Sequence, residues 1–289
     1  NGKYNLSECI YEDTAALNAD GYLRNEYLQQ EGYLSGTAQY FIFKDFKVAY
    51  STDGAINTLH SNMAVNNEVN RYTWLNVLAM SYKAKRISIS GNILSTTIQE
   101  YVCNNFAKEY QRFSPYVGVS VKPWNWDEHT FLIRYFFKEN YRIPNFSEMY
   151  YYTIAKDLNP EKALQNNIGL SYTSYKDDLY IIATVDGYFN RVTDKIVAIP
   201  SQSLFLWSMM NIGRVDILGL DAKVEVSLSN FAQRFTLSDA VLSVALNYSF
   251  QSAVDSMGVI MEFTPRVGPA FYIGCDYIPM GNASAEFIP

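Results

Sequence analysis

Apolar and polar residues alternate with a period of two along much of the chain. The alternation is clearest in residues 86–93, 116–122, 130–138, 222–229 and 240–251. Because successive side chains of a β-strand point to opposite faces, this pattern predicts strands with one apolar and one polar face. Residues 147–156 are the only short helix that the sequence predicts.

The predicted strands are long, and their two faces differ sharply. Several run for roughly 10 to 14 residues, whereas a globular strand usually has about 5 to 6 and a bilayer-crossing strand about 9 to 11. The residues that we expect to contact hydrocarbon include Val224, Val226, Leu228, Leu242, Val244 and Leu246. The residues expected on the opposite, luminal face are Lys223, Glu225, Ser227 and Asn247.

The connections between the predicted strands differ in length. Residues 175–178 and 230–234 are short polar reversals, whereas residues 139–164, 198–210 and 51–70 are predicted to be long and irregular. Short turns at one end of the strands and long loops at the other are typical of an outer-membrane barrel. The alternative is a secreted or surface β-sandwich with an adhesive or binding role, but its strands would be shorter.

Composition narrows the function classes. Aromatic residues make up 16% of the chain, which excludes a disordered protein. The net charge of −6 argues against nucleic acid as a partner, because phosphate binding needs a basic surface. No apolar run is long enough for a membrane helix. The three cysteines, Cys9, Cys103 and Cys275, have neither the number nor the spacing of a disulfide framework or a zinc site.

The chain lacks the sequence motifs of common enzymes. It contains no Gly-x-Ser-x-Gly, His-Glu-x-x-His or Walker-type sequence, and its only histidines are His60 and His129. Aspartates in the predicted turns are expected to cap backbone donors. The sequence therefore predicts no catalytic activity, no cofactor and no metal site, with calcium binding by an extracellular aspartate cluster as the alternative, although no EF-hand spacing is present.

Four segments follow one another between residues 141 and 221. They read YRIPNFSEMY at 141–150, LNPEK at 158–162, YFNRVTDKI at 188–196 and NIGRVDILG at 211–219. In this order and spacing they resemble the barrel of TonB-dependent outer-membrane receptors, most of all those of Bacteroidetes and the vitamin B12 subgroup. Many relatives carry an Asn-Pro pair before the second segment, and this pair is missing here.

The resemblance implies an antiparallel transmembrane β-barrel in the bacterial outer membrane. Family barrels have about 22 strands and enclose an N-terminal plug. Because the sequence predicts only about 11 to 12 strands of this kind, we expect residues 1–289 to be part of one barrel domain. The plug and the final strands are expected to be absent from the chain.

The resemblance also implies active import of a scarce nutrient, such as cobalamin, a ferric siderophore or an oligosaccharide. The chain would supply barrel wall and ligand-binding loops. The implied partners are a TonB-type energy-coupling complex acting through the missing plug, outer-membrane lipids, and a surface lipoprotein or another chain that completes the barrel.

The long predicted loops contain the candidate ligand contacts. Aromatic rings and a planar cation suit stacking and hydrogen bonding to a cargo. The residues chosen on this ground are Tyr141, Arg142, Tyr150, Tyr151, Tyr152 and Trp207. The alternative for the tyrosines is an aromatic girdle at the membrane interface, and for Trp207 it is packing at the rim of a strand.

The same motifs contain candidate structural residues, which are Pro144, Glu148, Pro160, Glu161, Gly213 and Gly219. The prolines lack a backbone donor and are expected to lie outside the strand ladder. The glycines suit places where a long strand bends or passes close to a neighbour. For Glu148 and Lys162 two interpretations are open, a pair across the loop or ordinary solvated charges that contribute little to stability.

Overall fold

The structure is a computed structural model of the chain. The residues that it describes are 2–13, 23–62, 67–126, 128–151, 157–200, 207–229, 242–255 and 260–268.

Nearly all described residues lie in β-strands. In chain order these strands are β1 (Gly2–Asp13), β2 (Leu23–Phe43), β3 (Phe46–Ser61), β4 (Glu68–Lys83), β5 (Ile87–Val102), β6 (Asn105–Val121), β7 (Asn125–Trp126), β8 (His129–Arg142), β9 (Glu161–Lys176), β10 (Leu179–Pro200), β11 (Trp207–Leu228), β12 (Leu242–Asp255) and β13 (Ile260–Gly268). Among the described residues one short helix, α1 (Phe146–Tyr150), follows β8. Within the described residues no helix is long and apolar enough to span a membrane.

The described strands form one antiparallel sheet. Twelve of them pair one after another, and the two-residue strand β7 pairs with β8 beside this path. This order confirms the predicted all-β antiparallel fold and its strand number. A β-sandwich would need two packed sheets, so the single sheet does not support that alternative.

The described residues of the alternating segments lie in strands or directly beside them, but one predicted loop is wrong. Residues 51–61 belong to β3, and β4 begins at Glu68. The polar residues of β3 hid its periodicity. The Tyr50 hydroxyl and the Thr52 hydroxyl both donate to the Asn76 side-chain oxygen of β4, at 2.8 and 2.9 Å. Polar side chains on a strand are thus satisfied by their neighbours in the sheet.

The connections follow the predicted alternation of length only in part. The short turn after β9 is confirmed, since residues 177–178 alone separate it from β10. At the opposite end of the strands, however, Cys103 and Asn104 alone connect β5 to β6. Both have positive φ, 47° and 63°, as a two-residue hairpin turn requires. The predicted reversal at 230–234 lies outside the described residues.

The long loops are shorter than predicted because the strands extend further. The predicted loop 139–164 is reduced to residues 143–160 between β8 and β9, and the loop 198–210 to residues 201–206 between β10 and β11. The predicted helix 147–156 begins one residue earlier and is described only to Tyr150. Residues 152–156 and 201–206 lie outside the described residues.

The sheet curves around the segment that contains α1. Strands β2 and β10 are seven steps apart in the sheet order, which would be about 34 Å in a flat sheet at about 4.8 Å per strand. Nevertheless Tyr27 of β2 and Ile196 of β10 belong to one buried cluster together with Phe146 and Met149. The sheet therefore has an inner face, which contacts the loop, and an outer face.

Alternation separates the two faces along each strand. In β5, Ile89 and Ile93 are exposed on the outer face, whereas Ile98 and Glu100 are buried on the inner face. In β11 and β12, the apolar residues exposed on the outer face are Val224, Val226, Val244 and Leu246. The predicted apolar surface is therefore continuous between neighbouring strands, because Val226 pairs with Val244 and Val224 with Leu246.

Candidate functional site

The candidate site is the segment between β8 and β9, residues 143–160, called the α1 loop here. Its helix begins with reciprocal hydrogen bonds. The Asn145 side-chain oxygen accepts from the Glu148 amide at 2.8 Å, and the Glu148 carboxylate accepts from the Asn145 amide at 2.8 Å. This capping box satisfies two backbone donors that the first turn of a helix leaves free. The sequence Asn-x-x-Glu thus starts a helix directly after Pro144.

The α1 loop packs against the inner face of the sheet. Phe146, Met149, Tyr150 and Leu158 are buried, each with at most 4% of its surface exposed. They form one cluster with Tyr27, Leu59, Val69 and Ile196 of the surrounding strands. The apolar side of a five-residue helix is too small to form a core alone, so the barrel wall provides the rest.

A buried ion pair holds the helix to the wall. Arg71 of β4 and Glu100 of β5 are directly opposite in the sheet, and Arg71 Nε donates to Glu100 Oε2 at 2.7 Å. The Tyr150 hydroxyl donates to the other oxygen, Oε1, of the same carboxylate. Glu100 is fully buried. Burial and the adjacent carboxylate raise the pKa of the Tyr150 phenol well above its usual range, so the hydroxyl remains a donor.

The Arg71 guanidinium also contacts the loop directly. Its Nη1 donates to the backbone oxygen of Pro144 at 3.0 Å, and its Cζ lies 4.5 Å from the centre of the Phe146 ring. A guanidinium over an aromatic face gains cation–π energy that grows as water is excluded. One arginine therefore joins two strands, the turn before α1 and the helix itself. We call Arg71, Glu100 and Tyr150 the anchor.

A second polar network closes the base of the α1 loop. Arg142, the last residue of β8, donates from Nε to Glu161 at 2.6 Å and from Nη1 to Glu148 at 2.9 Å. These hydrogen bonds raise the pKa of the Arg142 guanidinium above its usual value, and the bond with Glu161 contributes most. The other Glu161 oxygen accepts from the Ile196 amide of β10 at 2.7 Å. Glu148 thus has Arg142 as its partner in an ion pair.

Asn211 ties the end of the loop to the neighbouring strands. Its side-chain oxygen accepts from the Asn159 amide at 2.8 Å, and its side-chain nitrogen donates to the Asn159 oxygen at 3.0 Å and to the Asp194 oxygen at 2.6 Å. Asp194 has a positive φ of 55°, and the pairing of β10 with β11 is interrupted there, opposite Gly213. This irregularity turns the Asp194 carbonyl toward Asn211.

The predicted ligand residues differ in their accessibility. Tyr150 is buried in the anchor. Tyr151 stacks on Tyr27, with ring centres 3.8 Å apart, and burial raises the pKa of its phenol. Tyr141 and Arg142 lie at the top of β8, where Arg142 is engaged by two carboxylates. Their role as ligand contacts stays a prediction, and that of Tyr150 now has a competing structural explanation.

The remaining two candidates are placed less fully. Tyr152 lies outside the described residues. Trp207 is the first residue of β11 and pairs with Pro200, at the same end of the sheet as the α1 loop.

The candidate structural residues have identifiable surroundings. Pro144 is fully buried beneath the anchor, and Pro160 directly precedes β9. Gly219 pairs with Tyr188, and a Cβ at Gly219 would lie 2.0 Å from Cζ of that tyrosine. The Tyr188 ring therefore occupies the space in which any other residue at position 219 would place its Cβ.

Sequence reasoning missed Arg71, Glu100 and Asn211. Arg71 and Glu100 are 29 residues apart, and only the register of β4 against β5 brings them together. A faint signal exists, because both occur at inner-face positions of strands and a buried charge needs a partner. Asn211 begins one of the four motif segments, so the sequence indicates that its position matters but does not indicate its role.

The site has the chemistry of a binding or structural element. Its carboxylates and cations are paired with one another, and in the described part of the chain no group of three or more His, Cys, Asp and Glu is placed to hold a metal ion. Lys108 and Asp157 form one further pair at the exposed side of the loop. The Lys108 ammonium lowers the pKa of the Asp157 carboxyl.

A family model and several solved structures match the chain. A sequence model of the family described as "TonB dependent receptor-like, beta-barrel" matches residues 71–270. Among curated proteins, none matches the chain in sequence.

Solved structures share the fold. The chain is similar to the FrpB iron transporter from Neisseria meningitidis, with a TM-score of 0.61, 11% identity and coverage of 88% of this chain and 40% of that one. It is also similar to the copper transporter OprC, with a TM-score of 0.63 and 14% identity, and the match covers 90% of this chain and 44% of that one. The siderophore receptor PirA from Pseudomonas aeruginosa has a TM-score of 0.56 and 11% identity, and the match covers 88% of this chain and 56% of that one. The chain thus spans between 40% and 56% of these structures.

Proposed function

Because the chain belongs to the TonB-dependent receptor β-barrel family, we propose that it forms part of a receptor that actively imports a scarce nutrient. This family resides in the bacterial outer membrane, where the exposed valines and leucines of β11 and β12 contact lipid. The observation that carries the proposal is the match of the family model to residues 71–270. These residues belong to a sheet that curves around the α1 loop. The chain supplies barrel wall and loops at the mouth of the barrel.

The rest of the receptor comes from outside these 289 residues. The chain spans 40% to 56% of similar structures, which supports the view that residues 1–289 are part of one barrel domain. The plug and the remaining strands are provided by further sequence or by other chains. A TonB-type complex supplies energy through the plug, and a surface lipoprotein assists at the mouth.

The cargo is a metal chelate or another scarce nutrient. Similar structures are named as iron, copper and siderophore transporters or receptors, which supports a ferric siderophore. Cobalamin and an oligosaccharide are the other candidates. The chain acts by binding and passage without catalysis, in keeping with a family of receptors.

The experiment that tests import uses the full-length receptor in living cells. Cells that lack the receptor gene are complemented with it, and uptake of radiolabelled ferric siderophore and cobalamin is measured with and without a protonophore. We expect uptake of one cargo to need both the receptor and the proton gradient. Labelled oligosaccharides are tested in the same way. Uptake that does not need the proton gradient contradicts active import, and so does a receptor that takes up none of the three cargoes.

The α1 loop faces the cell surface, and residues 177–178 face the periplasm. The loop is the longest described connection and contains the capped helix, whereas residues 177–178 form a two-residue turn. An epitope tag near Ala155 should be reached by antibody on intact cells, and a tag at Lys176 should not. The opposite result means that the sidedness is inverted.

Tyr141 and Arg142, the last two residues of β8, contact the cargo, while Tyr150 and Tyr151 hold the α1 loop in place. The burial of Tyr150 and the stacking of Tyr151 on Tyr27 support this division. Replacing Tyr141 by Ala should weaken cargo affinity by about 1–3 kcal/mol, the usual loss when an important aromatic contact of an interface is removed. Tyr150→Phe, which keeps the ring, should leave affinity nearly unchanged. The reverse ranking would restore Tyr150 as a ligand contact.

A further inference from the structure

The outer face of β4 and β5 has a concave patch close to the α1-loop end of the strands. The residues that line it are Asn70, Tyr72, Trp74, Gln99, Tyr101 and Asn104. We call this the aromatic–amide patch. Its cavity of about 370 Å³ falls in the range of small-molecule sites, about 300–1,000 Å³. None of the six side chains carries a charge.

The aromatic rings of the patch form an ordered array. Tyr72 and Trp74 lie nearly parallel, 18° apart with ring centres at 6.5 Å. Tyr101 stands edge-on to Tyr72 at 5.9 Å. Trp74 is 48% exposed, so its indole is accessible from outside the barrel. Such rings present flat apolar faces together with a polar N–H or O–H group.

The patch also contains three carboxamides, of which that of Asn70 is held in place by hydrogen bonds. The Asn70 oxygen accepts from the Thr58 hydroxyl at 2.9 Å, and its nitrogen donates to Glu68 at 3.0 Å. Gln99 pairs with Tyr72 across the two strands. Asn104 occupies the turn after β5, where its positive φ fixes the backbone. Each carboxamide offers both donors and an acceptor.

The patch lies at the edge of the lipid-contacting surface. Further along the same face of β5, Ile87, Ile89 and Ile93 are exposed and purely apolar. Gln99 lies about 20 Å further along the strand than Ile93, which at the usual strand tilt is about 15 Å along the membrane normal, from hydrocarbon toward the level of the lipid headgroups. An aromatic girdle at this level needs only rings. Three carboxamides around a concavity are an addition that a girdle does not require.

We propose that the aromatic–amide patch binds a neutral pyranose in the headgroup of a glycolipid. The C–H face of a sugar ring packs on aromatic rings, while its hydroxyls both donate and accept, as carboxamides do. The absence of charge in the patch favours a sugar over a phosphate group. A free saccharide has the same chemistry, but the position of the patch beside the acyl chains favours a lipid-borne one. The choice of the outer leaflet rests on the proposed sidedness, whereas binding itself does not.

The test measures binding by the purified full-length receptor in a sugar-free zwitterionic detergent. The probes are lipopolysaccharide with its core sugars, the free core oligosaccharide and phosphatidylethanolamine, each quantified by native mass spectrometry. Trp74→Ala and Gln99→Leu should each weaken lipopolysaccharide binding by roughly 3- to 10-fold, the effect of losing one stacking or hydrogen-bonding contact. Binding of phosphatidylethanolamine should not change.

Trp124→Ala is the matched control, because Trp124 is also exposed but lies at the opposite end of the strands, after β6. It should bind lipopolysaccharide as the parent does, and heat modifiability on a semi-native gel should show that all variants fold. If Gln99→Leu has no effect, or if Trp74→Ala weakens both lipids equally, the patch is a girdle and the proposal is overturned. Equal affinity for the free oligosaccharide overturns the glycolipid as the source. These results are independent of whether the receptor transports a cargo.

Discussion

The anchor of the α1 loop and the wall formed by β11 and β12 are stabilised in different ways. The anchor depends on single contacts, since one carboxylate, Glu100, receives both Arg71 and Tyr150 in a buried site. The wall depends on a repeated pattern in which exposed apolar side chains pair between strands, such as Val226 with Val244. The anchor should therefore be sensitive to any change of partner, and the wall only to a change of polarity.

Breaking the anchor should have the largest effect. Arg71→Met leaves the Glu100 carboxylate buried without its cation, which should lower the free energy of unfolding by about 3–5 kcal/mol. The measurement is urea unfolding of the full-length receptor in micelles. The loss should be recovered largely in the variant Arg71→Met/Glu100→Leu/Tyr150→Phe, because apolar groups of similar size can replace a buried polar network. A triple variant as unstable as the single one contradicts this account.

A charge in the wall should be nearly as costly. Val226→Arg places a guanidinium in hydrocarbon and should cost about 2–4 kcal/mol near the bilayer midplane. Ser227→Arg, one residue further on, puts the same side chain on the inner face and should be tolerated. Urea unfolding in lipid vesicles measures both. Equal costs would show that residues 222–228 do not form a lipid-contacting face.

The wall could be predicted from the sequence because every strand repeats the same local rule. Val224 and Val226 alternate with Lys223 and Glu225 over a stretch that needs no knowledge of distant residues. Where the rule is locally obscured, as in β3 with Asp53 and its polar neighbours, the prediction of a loop at 51–70 was wrong. Long strands also extend beyond the segments in which alternation is regular.

The site was less predictable because its contacts join residues far apart in the chain. The loop around Pro144 was recognised from motif segments, and its tyrosines were interpreted as ligand contacts from residue type alone. The partner of Tyr150 is Glu100, 50 residues earlier, and that of Tyr151 is Tyr27, 124 residues earlier. Only the curvature of the sheet makes these pairs neighbours.

Within the α1 loop, the helix cap should matter less than the anchor. Asn145→Ala removes the side-chain oxygen that accepts from the Glu148 amide and should cost about 1 kcal/mol, as for other N-caps. Hydrogen exchange of the Glu148 amide should show the lost protection. Asn145→Asp keeps an acceptor and is the control. If both substitutions reduce protection equally, the cap does not stabilise the helix.

Acid should have the smallest effect, at the base of the loop. Burial acts to raise the pKa of the Glu161 carboxyl, but hydrogen bonds from Arg142 and the Ile196 amide leave it below its usual range. A carboxyl with a lowered folded pKa stabilises the fold above its unfolded pKa, and this stability is lost as the pH falls through the folded value. Because Arg142 is partly exposed, we expect at most about 1 kcal/mol.

Hydrogen exchange at the Ile196 amide can measure this effect as a protection factor at neutral and acid pH. Protection should fall on acidification in the parent chain. Glu161→Gln should start from lower protection and respond little to pH. A parent that keeps full protection in acid would show that the carboxylate form of Glu161 is not needed there.

The two faces of β4 and β5 limit how these strands can change length. Residues 70, 72 and 74 line the aromatic–amide patch, while residues 69 and 71 meet the α1 loop on the other side. Inserting one residue would exchange the two sets, since side chains alternate strictly along a strand. Arg71 would then face lipid, and Trp74 would be directed at the helix. Insertions and deletions in this ribbon should therefore survive only in pairs, so engineered or natural variants of its length are expected to differ by even numbers of residues.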